Sequence, residues 1–308
     1  MGNPMELGRR ILFKGPATRQ AAAALLADRP LKNLQPLALD YWVVEAPDAW
    51  IACEQAQELA RLPSVSLCHP VQRPFLRLQS IQAPAPNDPY FHRQWHLENR
   101  DTNSGARLGA DIQARAAWTQ TRGDGVAVAV VDDGVQMTHP DLADRFGQVP
   151  NVNFEDGSNN AAPGAGITVH ATAVAGLIAA SQSNRRGISG VAPKASLGSW
   201  VIFDQRGILA PDAVEMSQMF QAHSNQVHVQ NHSWGTGGTD LYPLPPLEAD
   251  AIGNAVTHGR QGRGVVLVRA ASNFRHIFGD ANADGYATDP RVITVAAARS
   301  DGRVANYS

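Results

Sequence analysis

Hydrophobic and polar positions alternate between two periods along the chain. RILFKG, from Arg10 to Gly15, reads as a short strand, and the alanine-rich stretch ATRQAAAALLAD reads as a helix. LALDYWVVEAP is rich in strand formers. DAWIACEQAQELARL has apolar residues at helical spacing, with Asp48 placed as its N-cap, and SVSLCHPV reads as a further strand. Strand, helix, strand, helix, strand predicts a small α/β domain over residues 1–80. A proline-rich stretch of little periodicity follows and predicts a linker at 81–86, with a larger domain over 87–308. There, apolar runs (GVAVAVVD, ASLGSWVIF, VHVQNHSW, GVVLVRAASN, RVITVAAA) alternate with helical patterns (GADIQARAAWTQT, HATAVAGLIAASQ, DAVEMSQMFQAHSN, PPLEADAIGNAVTHGRQG). Runs apolar at every position belong to strands buried on both faces, so a mostly parallel sheet covered by helices on each side is predicted.

Composition narrows the functional classes. A formal net charge of −2 gives no electrostatic case for nucleic acid. No apolar run reaches membrane-spanning length, and the first residues carry no signal-peptide hydrophobic segment. Cys53 and Cys68 are too few for a disulfide framework.

In open parallel sheets, sites form beyond the carboxyl ends of the strands. Asp132 ends the run VAVAVV, Asn231 to Gly235 follow VHVQ, and Asn273 follows VVLVRAAS, while His170 opens an apolar helix. Each alone is also an ordinary turn or helix-start residue. Together they suit acyl transfer. A buried carboxylate orients a histidine and stabilises its protonated form, the histidine takes a proton from a nucleophile, and an asparagine amide donates to the developing oxyanion.

VAVVDDGVQMTHPDL resembles the aspartate motif of the subtilisin-like serine proteases, and its DDG form resembles the kexin and furin branch. VHATAVAGLIAA is similar to that family's histidine motif, QNHSWG to its substrate-binding strand, and VRAASN to the strand leading to the oxyanion asparagine. NDPYFHRQWHL is similar to the opening of a kexin-like catalytic domain, and NADGYATDPRVITVAA to the segment after the oxyanion loop.

The resemblance spans residues 87–308 and implies a three-layer subtilisin-like domain, incomplete at its C-terminus, behind a propeptide-like α/β domain. It implies a serine endopeptidase precursor with catalytic Asp132, His170 and Asn273, acting on a peptide or protein substrate and inhibited by its own propeptide. Propeptide cleavage is then expected between Gln72 and Asn87, with Arg73 and Arg77 as candidates, and a secreted or periplasmic location is implied by the family, with a cytoplasmic one as the alternative because no signal peptide is visible. Substrate contacts are implied at Asp133, Ser233, Trp234, Gly235 and Asp284, the carboxylates suggesting a preference for basic residues; Asp240 lies near another such position. A structural Ca2+ is implied at Asp141 and the polar loop SQSNRRGISG, with the Asn184 side chain, carbonyls near Gln182, Arg186 and Ile188, and Asp88 as ligands.

The chain departs from the family in Ala171, Ala173 and Ser272; the first and last stand where glycine is usual. No Gly-Thr-Ser motif, which should carry the nucleophile, occurs in the 308 residues, and Ser308 is not assigned that role. Without a nucleophile Asp132 and His170 cannot run covalent catalysis. Without the helix that carries it, apolar surface is expected near Val265 and Val292. A non-catalytic peptide binder of the same fold is the alternative. An unrelated α/β enzyme is disfavoured by the lack of a Gly-x-Gly-x-x-Gly or P-loop motif.

Overall fold

The computed structural model describes residues 5–38, 40–74, 82–101, 108–164, 169–204, 207–209, 211–236 and 240–308. The chain divides into two compact units, Met1–Gln79 and Ser80–Ser308.

The first unit contains β1 (Met5–Lys14), α1 (Arg19–Ala24), β2 (Lys32–Ala38), β3 (Tyr41–Glu45), α2 (Ala49–Leu59) and β4 (Leu67–Pro74). Its sheet runs β2-β3-β1-β4, with every pairing antiparallel. Thr18 and Asp48 cap the two helices, accepting from the backbone N–H groups of Ala21 and Ile51. Alternation sends Ile11, Phe13, Trp42 and Val44 inward against Ala52, Ala56 and Leu59 of α2. One strand more is present than the sequence predicted: a turn at Asp40 splits LALDYWVVEAP, leaving its start on β2 and its remainder as β3.

The second unit is built on six parallel strands in the order β10-β9-β8-β5-β7-β6. They are β5 (Ala127–Asp132), β6 (Val152–Asn153), β7 (Ser196–Val201), β8 (Val229–His232), β9 (Val266–Ala270) and β10 (Val292–Val295). The helices are α3 (Ala114–Ala117), α4 (His170–Ala179), α5 (Ala213–Gln221) and α6 (Pro246–Gly262). The pleat of β5 divides its apolar run between two cores. Val128 and Val130 pack with Ala171, Ala175 and Ala179 of α4, whereas Ala129 and Val131 pack with Met216, Met219 and Phe220 of α5 and Ile252 and Ala255 of α6. A capping box fixes the start of α5, where Asp212 and Glu215 exchange hydrogen bonds with each other's backbone.

Three expectations change. The helix predicted over GADIQARAAWTQT shrinks to α3, because Gln113 takes a left-handed conformation (φ 51°) immediately before it. Residues 82–86, the described part of the expected linker, contribute to the packed body: Ala83 is buried with Leu97, Ala114 and Trp118, and it exchanges hydrogen bonds with the Arg115 backbone (2.9 Å) and Nε (2.7 Å). The exposed apolar surface falls one residue away from the predicted positions. Val265 is buried and Val292 packs on the α5–α6 side. The exposed side chains are Val266, Ile293 and Val295. Register places Val266 in line with Val229 and Val128, and Ile293 in line with Val268, Asn231 and Val130, on the face that α4 covers only farther along the sheet.

Candidate active site

The two adjacent carboxylates after VAVAVV have different partners. Asp132 is the last residue of β5, buried at 2% exposure. His170 is the first residue of α4, and its Nδ1 lies 2.8 Å from Asp132 Oδ1 and 3.0 Å from Oδ2. Asp133 donates its backbone N–H to Asp132 Oδ1 (2.8 Å), and its own Oδ1 accepts the backbone N–H of Ala171 (2.8 Å). The first carboxylate therefore orients the imidazole. The second ties down one of the amides that an α-helix start leaves without an internal partner. Gly134 follows at φ 101°, where a Cβ would sit 2.8 Å from the Ala162 carbonyl oxygen.

Burial raises the Asp132 carboxyl above its ordinary pKa, against the opposing pull of the His170 hydrogen bond and charge. The hydrogen bond from Asp132 raises the His170 imidazole, with burial opposing it. With Nδ1–H donated to Asp132, the neutral ring carries its lone pair on Nε2. The His170 side chain is 51% exposed, and Nε2 has no hydrogen-bond partner among the described residues. No serine hydroxyl bonds to His170 among those residues.

The other predicted residues lie on extensions of the neighbouring strands. Beyond β8, Ser233 accepts from Asn231 Nδ2 (2.9 Å), Trp234 donates Nε1–H to the Val131 carbonyl (2.9 Å), and Gly235 is exposed. The indole bond holds this extension against β5 beside Asp132. Beyond β9, Ser272 adopts φ 94° and Asn273 is exposed, with no side-chain hydrogen bond among the described residues. Asp284 is buried. Its Oδ1 accepts from the backbone of Tyr286 (2.9 Å) and Ala287 (3.1 Å), and its Oδ2 accepts from Thr236 Oγ1 (2.8 Å) and the Arg269 guanidinium. Sequence reasoning missed Arg269; its signal was one charge inside the apolar run VVLVRAA.

Asp132, Asp133 and His170 each offer one ligand atom, all within 4.8 Å of one another, a cluster able to coordinate a cation. The residues predicted as calcium ligands gather elsewhere. Asp88 accepts from the backbone of Ser183 (2.9 Å) and Asn184 (3.0 Å) and from Ser189 Oγ (2.6 Å). Asp141 accepts from Asn184 Nδ2 (2.6 Å) and the Ile188 backbone (3.1 Å). Asn184 Oδ1 faces the Arg186 backbone N–H (2.8 Å), and Gln182 Oε1 accepts from Arg122 Nε (2.9 Å). Asp88 and Asp141 are both buried, and neither pairs with a lysine or arginine among the described residues.

The profile of the subtilase family of peptidases matches residues 123–308. Furin-like protease 2 of Drosophila melanogaster is 33% identical over 221 residues, covering 70% of this chain and 12% of that protein. Neuroendocrine convertase 2 of the same organism is 33% identical over 237 residues, covering 72% of this chain and 34% of that protein. This chain thus spans about a third or less of the length of these two relatives. The crystal structure of a serine protease of Aeromonas sobria superposes with a TM-score of 0.60 at 26% identity, covering 73% of this chain and 42% of that one.

Proposed function

Because the chain belongs to the subtilase family and resembles its kexin and furin branch, we propose that it is part of a serine endopeptidase precursor. Asp132 and His170 supply the acid–base half of its catalytic machinery. The observation that carries the reading is the 2.8 Å contact from His170 Nδ1 to a buried Asp132, with Nε2 left exposed. In this mechanism Nε2 accepts the proton of a serine hydroxyl that attacks the scissile carbonyl, and Asp132 stabilises the imidazolium that forms. The Asn273 amide donates to the oxyanion of the tetrahedral intermediate.

The serine would belong to a Gly-Thr-Ser-x-Ala segment packed over the open face at Val266, Ile293 and Val295. The N-terminal unit acts as an inhibitory propeptide, and the protein is exported. Arg77, one cleavage candidate, lies outside the described residues; β4 runs up to Pro74, through the other, Arg73. Among the described residues no helix is long and apolar enough to cross a membrane. A structural calcium ion held by Asp88 and Asp141 would neutralise two buried carboxylates and hold the loop after α4; the burial of both side chains supports this reading.

The test is peptide hydrolysis by a polypeptide that includes the serine segment. Turnover is expected there, with a loss of roughly a millionfold in His170→Ala; unchanged turnover in that variant would sink the assignment. The alternative reading is a peptide binder of the same fold without catalysis. The intact mass of the natural protein separates the two. A mass well above 32.9 kDa supports the peptidase, and a mass at that value supports the binder.

A further inference from the structure

Arg269 is a charged residue in a strand whose neighbours are apolar, and it is 2% exposed. Its guanidinium lies over two aromatic faces, 4.6 Å from the Trp234 ring centre and 4.4 Å from that of Tyr286. One edge is paired with Asp284, while Nε and Nη1 have no hydrogen-bond partner among the described residues. Aromatic faces plus a buried carboxylate are the parts of a cation pocket. Here the pocket is filled by the chain's own side chain. The Asp284 carboxylate also accepts from Thr236, Tyr286 and Ala287, so it has no lone pair left for an incoming ligand. Burial works to raise its pKa, but the charge and hydrogen bond of Arg269 outweigh this and hold the carboxyl below its ordinary value.

The pocket lies between the extensions of β8 and β9. His232 and Arg269 are register partners, and a Cβ on Gly235 would lie 3.6 Å from Arg269 Nη2 and 3.9 Å from Ser272 Cβ. Asn273 follows directly. We propose that Arg269 plugs a cation pocket made by Trp234, Tyr286 and Asp284. The peptide side chain received beside the β8 and β9 extensions is therefore uncharged rather than basic. This rests on the reading above that a peptide lies along those extensions. A lysine or arginine seated at Asp284 would have to displace Arg269 from the carboxylate and leave a buried guanidinium without its anion. The neutral Arg269–Asp284 pair offers an incoming cation no net attraction.

The test uses benzamidine, a flat cation, titrated by calorimetry into the 308-residue chain, Arg269→Met, and Arg269→Met/Asp284→Asn. Methionine keeps an apolar stem between Trp234 and Tyr286 while freeing Asp284. The unaltered chain is expected not to bind. Arg269→Met is expected to gain at least tenfold in affinity, and the double variant to lose that gain. Should Arg269→Met melt early, recovery of its transition by millimolar benzamidine is the same result. Asp284-dependent binding to the unaltered chain, or neither gain nor recovery in Arg269→Met, overturns the plug. A fluorescence-polarisation comparison of two peptides differing only by Leu or Arg tests the consequence. Equal or tighter binding of the Leu peptide supports it, and tenfold tighter binding of the Arg peptide overturns it. Failure of both peptides to bind instead sinks the peptide-groove reading on which the consequence rests, and benzamidine alone then decides the plug.

Discussion

Ser272→Gly isolates the backbone next to the oxyanion candidate. Ser272 holds φ 94°, in the region that favours glycine, and its side chain makes no hydrogen bond among the described residues. An L-residue held in the left-handed region costs about 1–2 kcal/mol relative to glycine. Glycine gives back about 0.4–1 kcal/mol through the greater freedom of its unfolded chain. The half-buried hydroxymethyl group contributes little packing. The balance is a net stabilisation of about 0.5–1 kcal/mol. Urea unfolding with an m-value of about 2 kcal/mol/M turns that into a midpoint rise of roughly 0.3–0.5 M. Because the chain has two compact units, hydrogen exchange read by mass spectrometry on peptides from 126–201 reports the larger unit apart from 5–74. Ser272→Ala is the control. It keeps the conformational strain and should stay within about 0.5 kcal/mol of the parent. If glycine lowers the midpoint, or alanine raises it as much as glycine, strain at Ser272 is not what the substitution relieves.

Asp132→Asn should lower the His170 pKa, because the hydrogen bond that raises it is weakened while the burial that lowers it remains; imidazole NMR against pH reads the shift. The sign carries into stability. A histidine favoured as imidazolium in the folded state contributes fully below its unfolded pKa of about 6.5, and the contribution is lost as pH rises through the higher folded value. The stability difference between parent and Asp132→Asn should change across that window, and a difference independent of pH would argue against the pairing. Gly134→Ala forces a Cβ to 2.8 Å from the Ala162 carbonyl oxygen at φ 101° and should cost about 2–4 kcal/mol, seen as a fall of roughly 5–10 °C in Tm. Saturating Ca2+ at about a hundred times its Kd should stabilise the larger unit by about 2.7 kcal/mol, a chelator should remove this, and Asp141→Asn should not respond; equal melting with and without chelator would remove the proposed ion.

Local pattern alone determined several things. The unbroken apolar character of VAVAVV requires a strand buried on both faces, and Ala129 and Val131 do face one core while Val128 and Val130 face the other. Asp132 ends an apolar strand and so belongs at the edge to which parallel strands deliver their carboxyl ends, whereas His170, at a helix start, was joined to it through the resemblance of VHATAVAGLIAA to the family's histidine motif. The β2–β3 turn at Asp40 and the left-handed Gln113 were not legible, since each depends on bonds to distant backbone: Gly15 N–H to the Asp40 carbonyl, Asn99 N–H to Asp111. Nor was the phase of β9 and β10, because an apolar run carries no sign of which side is covered; register with β8 set Val266 and Ile293 outward. Arg269 marks the limit most sharply. Its charge is plain in the sequence, but Trp234, Tyr286 and Asp284 reach it from β8's extension and from a loop beyond β9. Pairing across strands, not order along the chain, decided that the carboxylate at Asp284 was already neutralised.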